Sequence, residues 1–366
     1  MVRKLNWIFA LFVLVGLFTG TVVFASTTAT ASKVADIPNL LYNAYVARSD
    51  QLNLTYTGKM TEITQASLNT ALNTAMAKND YIHFTMKTYG YSTSVVNGKW
   101  LITFPATYWE TASEVEAVTA KAVEVFSQNV SVTMNAHQKV KALHDWLVTH
   151  FEYDTSMVEH SAYAGITGGK TVCQGYALMM FKLLTAAKIP VRIVSGKAGG
   201  QNHAWNLVQL DTKWYHLDPT WDDPVPDVSG RVVYSYYMLS DPEIKRNHTP
   251  VAGYPAATTY YDQTLISLIT SDKSRASFYN SFLTTLSYQY SLPSNTVNNA
   301  TELKTKITTA IRASQTSLVF RYMNKATFLN DLKTALKGTN KSASYSMSDY
   351  SKTATTNDGI VTLTLR

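Results

Sequence analysis

Cys173 is the only cysteine among the 366 residues, and a thiol without a second cysteine cannot close an intramolecular disulfide. It stands in the run Lys170-Thr171-Val172-Cys173-Gln174-Gly175-Tyr176-Ala177. Tyr176, Met179, Met180, Leu183, Leu184 and Ala187 follow at helical spacing, which places Cys173 in the first turn of a buried helix. There the unpaired N–H groups and the positive end of the helix dipole favour the thiolate over the thiol. The same N–H groups can donate to an oxyanion forming on an attacked carbonyl. Gly175 and the Gly168-Gly169 pair are expected to leave room for a substrate close to the backbone.

Two further residues complete a chemical set. The stretches His203 to Leu210 and Lys213 to Asp218 alternate like two strands, and Asp211-Thr212 between them fits a two-residue turn. With Leu210 opposite Lys213, pairing runs back to Trp205 opposite Asp218, and His203 becomes the diagonal neighbour of Asp218 on the same face. Such neighbours have Cα atoms roughly 7–8 Å apart, within reach of a carboxylate and an imidazole. A one-residue slip would send them to opposite faces. Each residue alone has a plainer reading: a small buried Cys, a sheet histidine, a turn-forming Asp before Pro219. Together they supply a nucleophile, a base and the group that orients the base.

The runs Thr171 to Ala177, Asn202-His203-Ala204-Trp205-Asn206 and Trp214-Tyr215-His216-Leu217-Asp218-Pro219-Thr220-Trp221 resemble the Cys, His and Asp motifs of the transglutaminase-like superfamily in its bacterial exported branch. The likeness covers about Lys139 to Asp223. It implies an α+β fold, a papain-like core in which Cys173 is nucleophile, His203 base and Asp218 its partner, flanked by smaller α+β regions. Val172 precedes the cysteine and Gln174 follows it, where animal transglutaminases carry Gly-Gln-Cys-Trp, so oxyanion assignments from those enzymes do not transfer. The resemblance implies a cysteine-dependent acyl-transfer enzyme acting on peptide or protein amides, either a peptidase/amidase or a transglutaminase. The alternative is a non-catalytic cell-envelope module that retains the fold and binds peptide or wall polymer. Gln174, Trp205 and Trp221 are the expected substrate-binding residues.

Other candidates weigh less. Cys173, His203, His216, Asp218, Asp222 and Asp223 contain no C-x-x-C or H-E-x-x-H spacing, so no metal and no cofactor are expected. Asp222-Asp223 reads as a solvated turn, and His144 and Asp145 as solvated or structural. Ala164 to Thr171 imitates a phosphate-binding loop, but no apolar strand enters it. It reads instead as a flexible entry to the Cys173 helix.

The elements that must position these residues occupy about 111–255, with Ala136 to His150 as a helix and Val191 to Val194 as a buried strand. Arg3 and Lys4, the apolar run Leu5 to Phe18, and Val23-Phe24-Ala25 before Ser26 form the pattern of a secretory signal. Cleavage is expected after Ala25, with an uncleaved anchor as the alternative and the only expected membrane contact. A secreted or cell-surface location follows, and a peptide or protein substrate, cell-wall peptide included. Loss of Arg3 and Lys4 leaves 30 basic against 25 acidic residues, without basic blocks, which argues against nucleic acid. A Ser/Thr/Ala linker is expected at 26–38 and an N-terminal α+β region at 39–110. In that region a helix spans about Thr61 to Lys78, Tyr81 to Met86 and Trp100 to Phe104 are strands, and Asn97-Gly98 is a hairpin turn. A helix opened by Ser113 follows. The C-terminal α+β domain, 256–366, repeats the order helix (Glu302 to Arg312), strand (Ser317 to Tyr322), final strand (Ile360 to Leu365). Two unrelated modules explain that echo more simply than a duplication.

Overall fold

The computed structural model describes residues 26–366 apart from 224 and 351, so the expected export segment lies outside the described residues. The chain is α+β throughout. β1 (Ser26–Ala31) and β2 (Gln51–Tyr56) are parallel strands joined by α1 (Ile37–Val46). The tract expected as a linker is therefore partly a strand: its backbone pairs with β2 from Ser26 to Ala31, and Ala31 is buried. Then come α2 (Gln65–Met76), α3 (Asp80–Phe84), β3 (Met86–Tyr89), β4 (Ser92–Val96) and β5 (Lys99–Tyr108), in the sheet order β1-β2-β5-β3 with β4 also on β5. Asn97 and Gly98 turn the β4–β5 hairpin with φ of 50° and 70°, as their types predict. Tyr81 to Phe84, expected as strand, is helix: the Asn79 side chain accepts from the N–H groups of Tyr81 and Ile82, and both side chains are buried. A good N-cap outweighs so short an alternation.

In the middle of the chain α4 (Ala112–Asn129) starts two residues earlier than Ser113 would set it. Thr111 Oγ1 accepts from the Glu114 N–H and the Glu114 carboxylate from the Thr111 N–H, a reciprocal cap. After α5 (Ala136–His150), β6 (Glu152–Tyr153) pairs with β7 (Lys170–Thr171) across α6 (Ala162–Gly168). The expected flexible entry is thus ordered, with Gly169 ending α6 at φ 75°. Next is α7 (Cys173–Ala186), then β8 (Val191–Ala198), β9 (Gln201–Leu210) and β10 (Lys213–Leu217), α8 (Asp241–Ile244) and β11 (His248–Pro250), with sheet order β10-β9-β8-β11. Helix α7 packs on β8 and β9 on one side and on α4, α5 and α6 on the other. Tyr176 to Met180, Leu183 and Leu184 are accordingly all buried. At about 1.5–3 kcal/mol per large apolar side chain, this helix is the main anchor of the central core.

That core does not stop at residue 255. Tyr261 and Leu265 of α9 (Tyr261–Ser271), and Tyr279 and Phe282 of α10 (Ala276–Thr285), belong to the same apolar cluster as Leu143, Met179 and Tyr215. His137 of α5 bridges Tyr261 Oη (2.8 Å) and Asp211 (2.9 Å). A boundary at 255/256 cuts through continuous packing, because the amphipathic faces of α9 and α10 have the central helices as their partner.

The last segment holds β12 (Thr296–Val297), α11 (Ala300–Arg312), β13 (Ser317–Tyr322), α12 (Phe328–Leu336), β14 (Ala343–Asp349) and β15 (Gly359–Leu365), in the order β12-β13-β15-β14. Its connectivity repeats the first module. A strand, a helix and a parallel strand (β1-α1-β2, β12-α11-β13) lead through a second helix to an antiparallel pair whose last strand lies on the second. The correspondence reaches single residues at identical spacing. Ala44, Leu52, Leu54 and Tyr56 answer to Ala310, Leu318, Phe320 and Tyr322, all buried. Arg48 and Ser314 leave the helix at φ 56° and 55°. The N–H groups of Ser49 and Thr57 bond to Ala44 and Ala31 as those of Gln315 and Met323 do to Ala310 and Val297. Both tyrosines donate to an acid on the following segment, Tyr56 to Glu62 and Tyr322 to Asp331. The flanking modules share this core connectivity, to which the first adds α3 and β3. Few identities remain, because the positions need only keep their apolar character.

Candidate active site

Helix α7 begins at Cys173, and its cap residue is Val172, extended and without a side-chain acceptor. The N–H groups of Gly175 and Tyr176 turn back to the Val172 carbonyl, at 2.9 and 3.3 Å. Cys173 is half-buried. Gly175 does not serve substrate access as expected. A Cβ there would lie 2.0 Å from Thr171 Oγ1 and 2.6 Å from the Ser161 carbonyl oxygen, so the glycine lets the first turn of α7 close against the preceding segment.

The hairpin carries the second and third groups. Asp211 and Thr212 have φ of 47° and 66°, the positive values of a two-residue turn, and pairing runs from Leu210–Lys213 to Asn206–Leu217. This is the register that puts His203 and Asp218 on one face. His203 Nε2 donates to Asp218 Oδ2 at 2.7 Å. Burial alone would lower the His203 pKa, but the Asp218 charge and hydrogen bonds to Asp218 and Cys173 outweigh it and raise it to about 10. Asp218 is fully buried, and its Oδ1 accepts from the N–H groups of Thr220 (3.1 Å) and Trp221 (3.3 Å). Burial pushes its carboxyl up, yet the charge of His203 and hydrogen bonds from His203 and His248 hold it well below the usual carboxylate range.

Beside His203 opens a cleft of about 720 Å³, with Tyr153, Met157, Trp221, Asp223 and Val225 among its walls. Trp221 is where the sequence reading placed it. Trp205 is not: it is fully buried, donates Nε1–H to His216 Nδ1 (2.9 Å), and stacks on the His203 ring at 5.8 Å. It supports the imidazole from behind. Gln174 donates to the Phe84 carbonyl oxygen (2.7 Å), tying α7 to the N-terminal module. Asp223, expected in a solvated turn, is buried in the cleft wall and accepts from Tyr176 Oη. Burial chiefly raises its carboxyl to about 6, with the charges of Asp227 and Glu152 adding to it.

Sequence reasoning missed His248. Its Nε2 lies 3.0 Å from Asp218 Oδ2, and its ring meets Trp221 (4.7 Å) and Trp205 (5.2 Å). No periodicity around Asn247-His248-Thr249 signals this, because strand β11 reaches the site only by pairing with β8. His203, Asp218 and His248 offer atoms within 4.8 Å of one another, a spacing able to hold a metal ion. Their mutual hydrogen bonds already satisfy those atoms. His144, expected as solvated or structural, is structural and fully buried, placed between Asp145 (3.2 Å) and Asp222 (3.1 Å). Asp222 is buried as well and accepts from the Tyr236 N–H. His216 faces Asp241 (2.9 Å).

Residues 124–219 match the transglutaminase-like superfamily. The kyphoscoliosis peptidases of Homo sapiens and Mus musculus are 25% identical over 129 residues, 29% of this chain and 20% of theirs, so the chain spans about a fifth of those relatives' length. A solved structure described as a TGase is 16% identical, covering 56% of this chain and 61% of its own, with a TM-score of 0.26. Calcium-bound LapG of Legionella pneumophila is 13% identical over 40% of this chain and 76% of its own, also with a TM-score of 0.26. Such TM-scores do not establish a shared overall architecture.

Proposed function

We propose that the protein is an exported cysteine-dependent acyl-transfer enzyme acting on peptide or protein amides. The observation that carries this reading is the chain of contacts from Cys173 through His203 to Asp218, with His203 raised to about 10 and so charged at neutral pH. An imidazolium beside the sulfur stabilises a thiolate. The sulfur attacks the amide carbonyl, and the N–H groups of Cys173 and Gln174, ahead of those engaged by Val172, face the developing oxyanion. His203 gives its proton to the leaving amine, whose departure leaves a thioester. It then takes a proton from water, the resulting hydroxide attacks the thioester carbonyl, and the acid and thiolate are released. An amine in place of water gives a cross-link. The peptidase character of the curated relatives favours water, and the signal pattern at 1–25 supports action outside the cytoplasm, on peptide that includes cell-wall peptide. The test is labelling of the purified chain with a thiol-directed probe. Labelling of Cys173 at neutral pH that collapses in His203→Ala supports the enzyme. Labelling indifferent to His203→Ala supports the non-catalytic binding module.

A further inference from the structure

Asp218 has more hydrogen-bond donors than the Cys-His-Asp scheme uses. Its Oδ1 takes two backbone N–H groups, while its Oδ2 takes both His203 Nε2 (2.7 Å) and His248 Nε2 (3.0 Å). A carboxylate can only accept, so both histidines carry their proton on Nε2. On its far side, His248 Nδ1 lies 2.7 Å from Asn247 Oδ1, and Asn247 Nδ2 donates to Tyr236 Oη at 2.5 Å. The ring is fixed on its faces and edges by Trp205, Trp221 and Tyr236.

The strand that delivers His248 is held by a glycine. A Cβ at Gly196 would lie 2.4 Å from the Thr249 carbonyl oxygen, 2.8 Å from Trp205 and 2.9 Å from Pro250. Any larger residue would push β11 off β8.

We propose that His248 is a positioning residue for the Cys173 chemistry: it shares Asp218 with His203, fixes the rotation of that carboxylate, and takes up part of its charge. This rests on the enzyme reading above. With both Oδ2 lone pairs engaged, Asp218 stays in the orientation His203 needs and presents a weakened pull on the imidazolium proton. Removing His248 frees one lone pair, strengthens that pull, and loosens the carboxylate. His203 then holds its proton to higher pH and delivers it less readily to the leaving amine. The other groups around His203 are Cys173 from α7, Tyr153 from β6, His216 from β10, Asp223 from the turn after β10, and Tyr236 from the segment before α8. None of them is hydrogen-bonded to Asp218 Oδ2 among the described residues.

The experiment uses the full chain as wild type, His248→Ala, His248→Gln and His203→Ala. Two readouts are taken: the pH profile of Cys173 alkylation, and the His203 imidazole titration by NMR, which needs no turnover. In His248→Ala the alkylation rate at neutral pH is expected to hold, because alkylation needs the thiolate and no proton for a leaving amine, while the limb of its pH profile set by His203 moves upward. The His203 titration moves upward, and His248→Gln, whose amide can still donate to Oδ2, restores both towards wild type. An unmoved titration in a folded His248→Ala overturns the proposal, and so does a shifted profile that His248→Gln does not restore. Alkylation indifferent to His203→Ala overturns the enzyme reading instead, and the NMR titration still decides whether His248 tunes His203.

Discussion

His203 and Asp218 are separated by fifteen positions and joined by one 2.7 Å hydrogen bond, and the two-residue turn at Asp211-Thr212 makes that contact possible. A strand alternates faces with period two, so the pairing of Leu210 with Lys213 decides whether the imidazole finds the carboxylate or its opposite face. The chemistry of the site therefore depends on backbone conformation at a turn remote from it.

Asp218→Asn tests that relationship. The amide places an N–H where Asp218 offers an acceptor to two histidines or two backbone N–H groups, leaving buried donors face to face. A loss of roughly 1–3 kcal/mol is expected, together with a fall in thiol reactivity or turnover on the order of 10⁴, the size seen when the orienting carboxylate of a hydrolase triad is neutralised. The stability difference from wild type depends on pH. His203 has a folded pKa of about 10, above its unfolded value of roughly 6.5, so its pairing stabilises fully below about pH 6.5 and is lost as pH rises through about 10. Melting temperatures of the two proteins should differ most near pH 6 and converge towards pH 10. A constant gap across that range would show that the contact is not ionic.

Asp223→Asn should act in the opposite sense. The Asp223 carboxyl is raised to about 6 by burial and by the Asp227 and Glu152 charges, so the fold favours its neutral form and loses stability as pH climbs through 6. The neutral amide can still accept from Tyr176 Oη. The variant should match wild type near pH 4, below the unfolded pKa of the carboxyl, and melt higher by ~2–4 °C at pH 8. A lower melting temperature at pH 8 would mean that the charged carboxylate holds Tyr176 in place.

Truncation separates the core from the C-terminal module. A chain ending at Tyr260 loses Tyr261, Leu265, Tyr279 and Phe282 from the central cluster. At about 3–5 kcal/mol per large aromatic and about 2–5 for the leucine, the loss is as large as the roughly 5–15 kcal/mol by which whole domains are stable, and the product should be insoluble. A chain ending at Leu292 keeps those residues and loses the contacts made by Tyr350 and Lys352, which bond to Arg246, Ser287 and the Tyr237 carbonyl oxygen. The Lys352 amine is buried, and burial lowers it to about 8, so its insertion adds little stability at neutral pH. This shorter chain should stay soluble with a reactive Cys173. Equal insolubility of both products would place the last module within the same folding unit.

Some of this was legible in the residues themselves. A cysteine at the start of an apolar helix, a turn whose types accept positive φ, and two alternating runs are local facts. Backbone geometry converts the hairpin runs into neighbouring side chains, so the pairing of His203 with Asp218 followed from spacing, while the place of Cys173 beside them was expected only from the resemblance of the three motifs. The same locality gave the final strands and the Asn97-Gly98 hairpin. Tertiary structure decided whatever depends on which surface meets which. The Ser26 to Ala31 tract is a strand because β2 offers it an edge. Tyr81 to Phe84 is helical because Asn79 caps it and the core takes Tyr81 and Ile82. Trp205 and Trp221 look alike in sequence, yet one is buried behind His203 and the other lines the cleft. His248 joins Asp218 from thirty residues away because Gly196 leaves space for a short edge strand. No periodicity encodes a contact of that kind, since it arises from the docking of one strand on another rather than from the chain's own repeat.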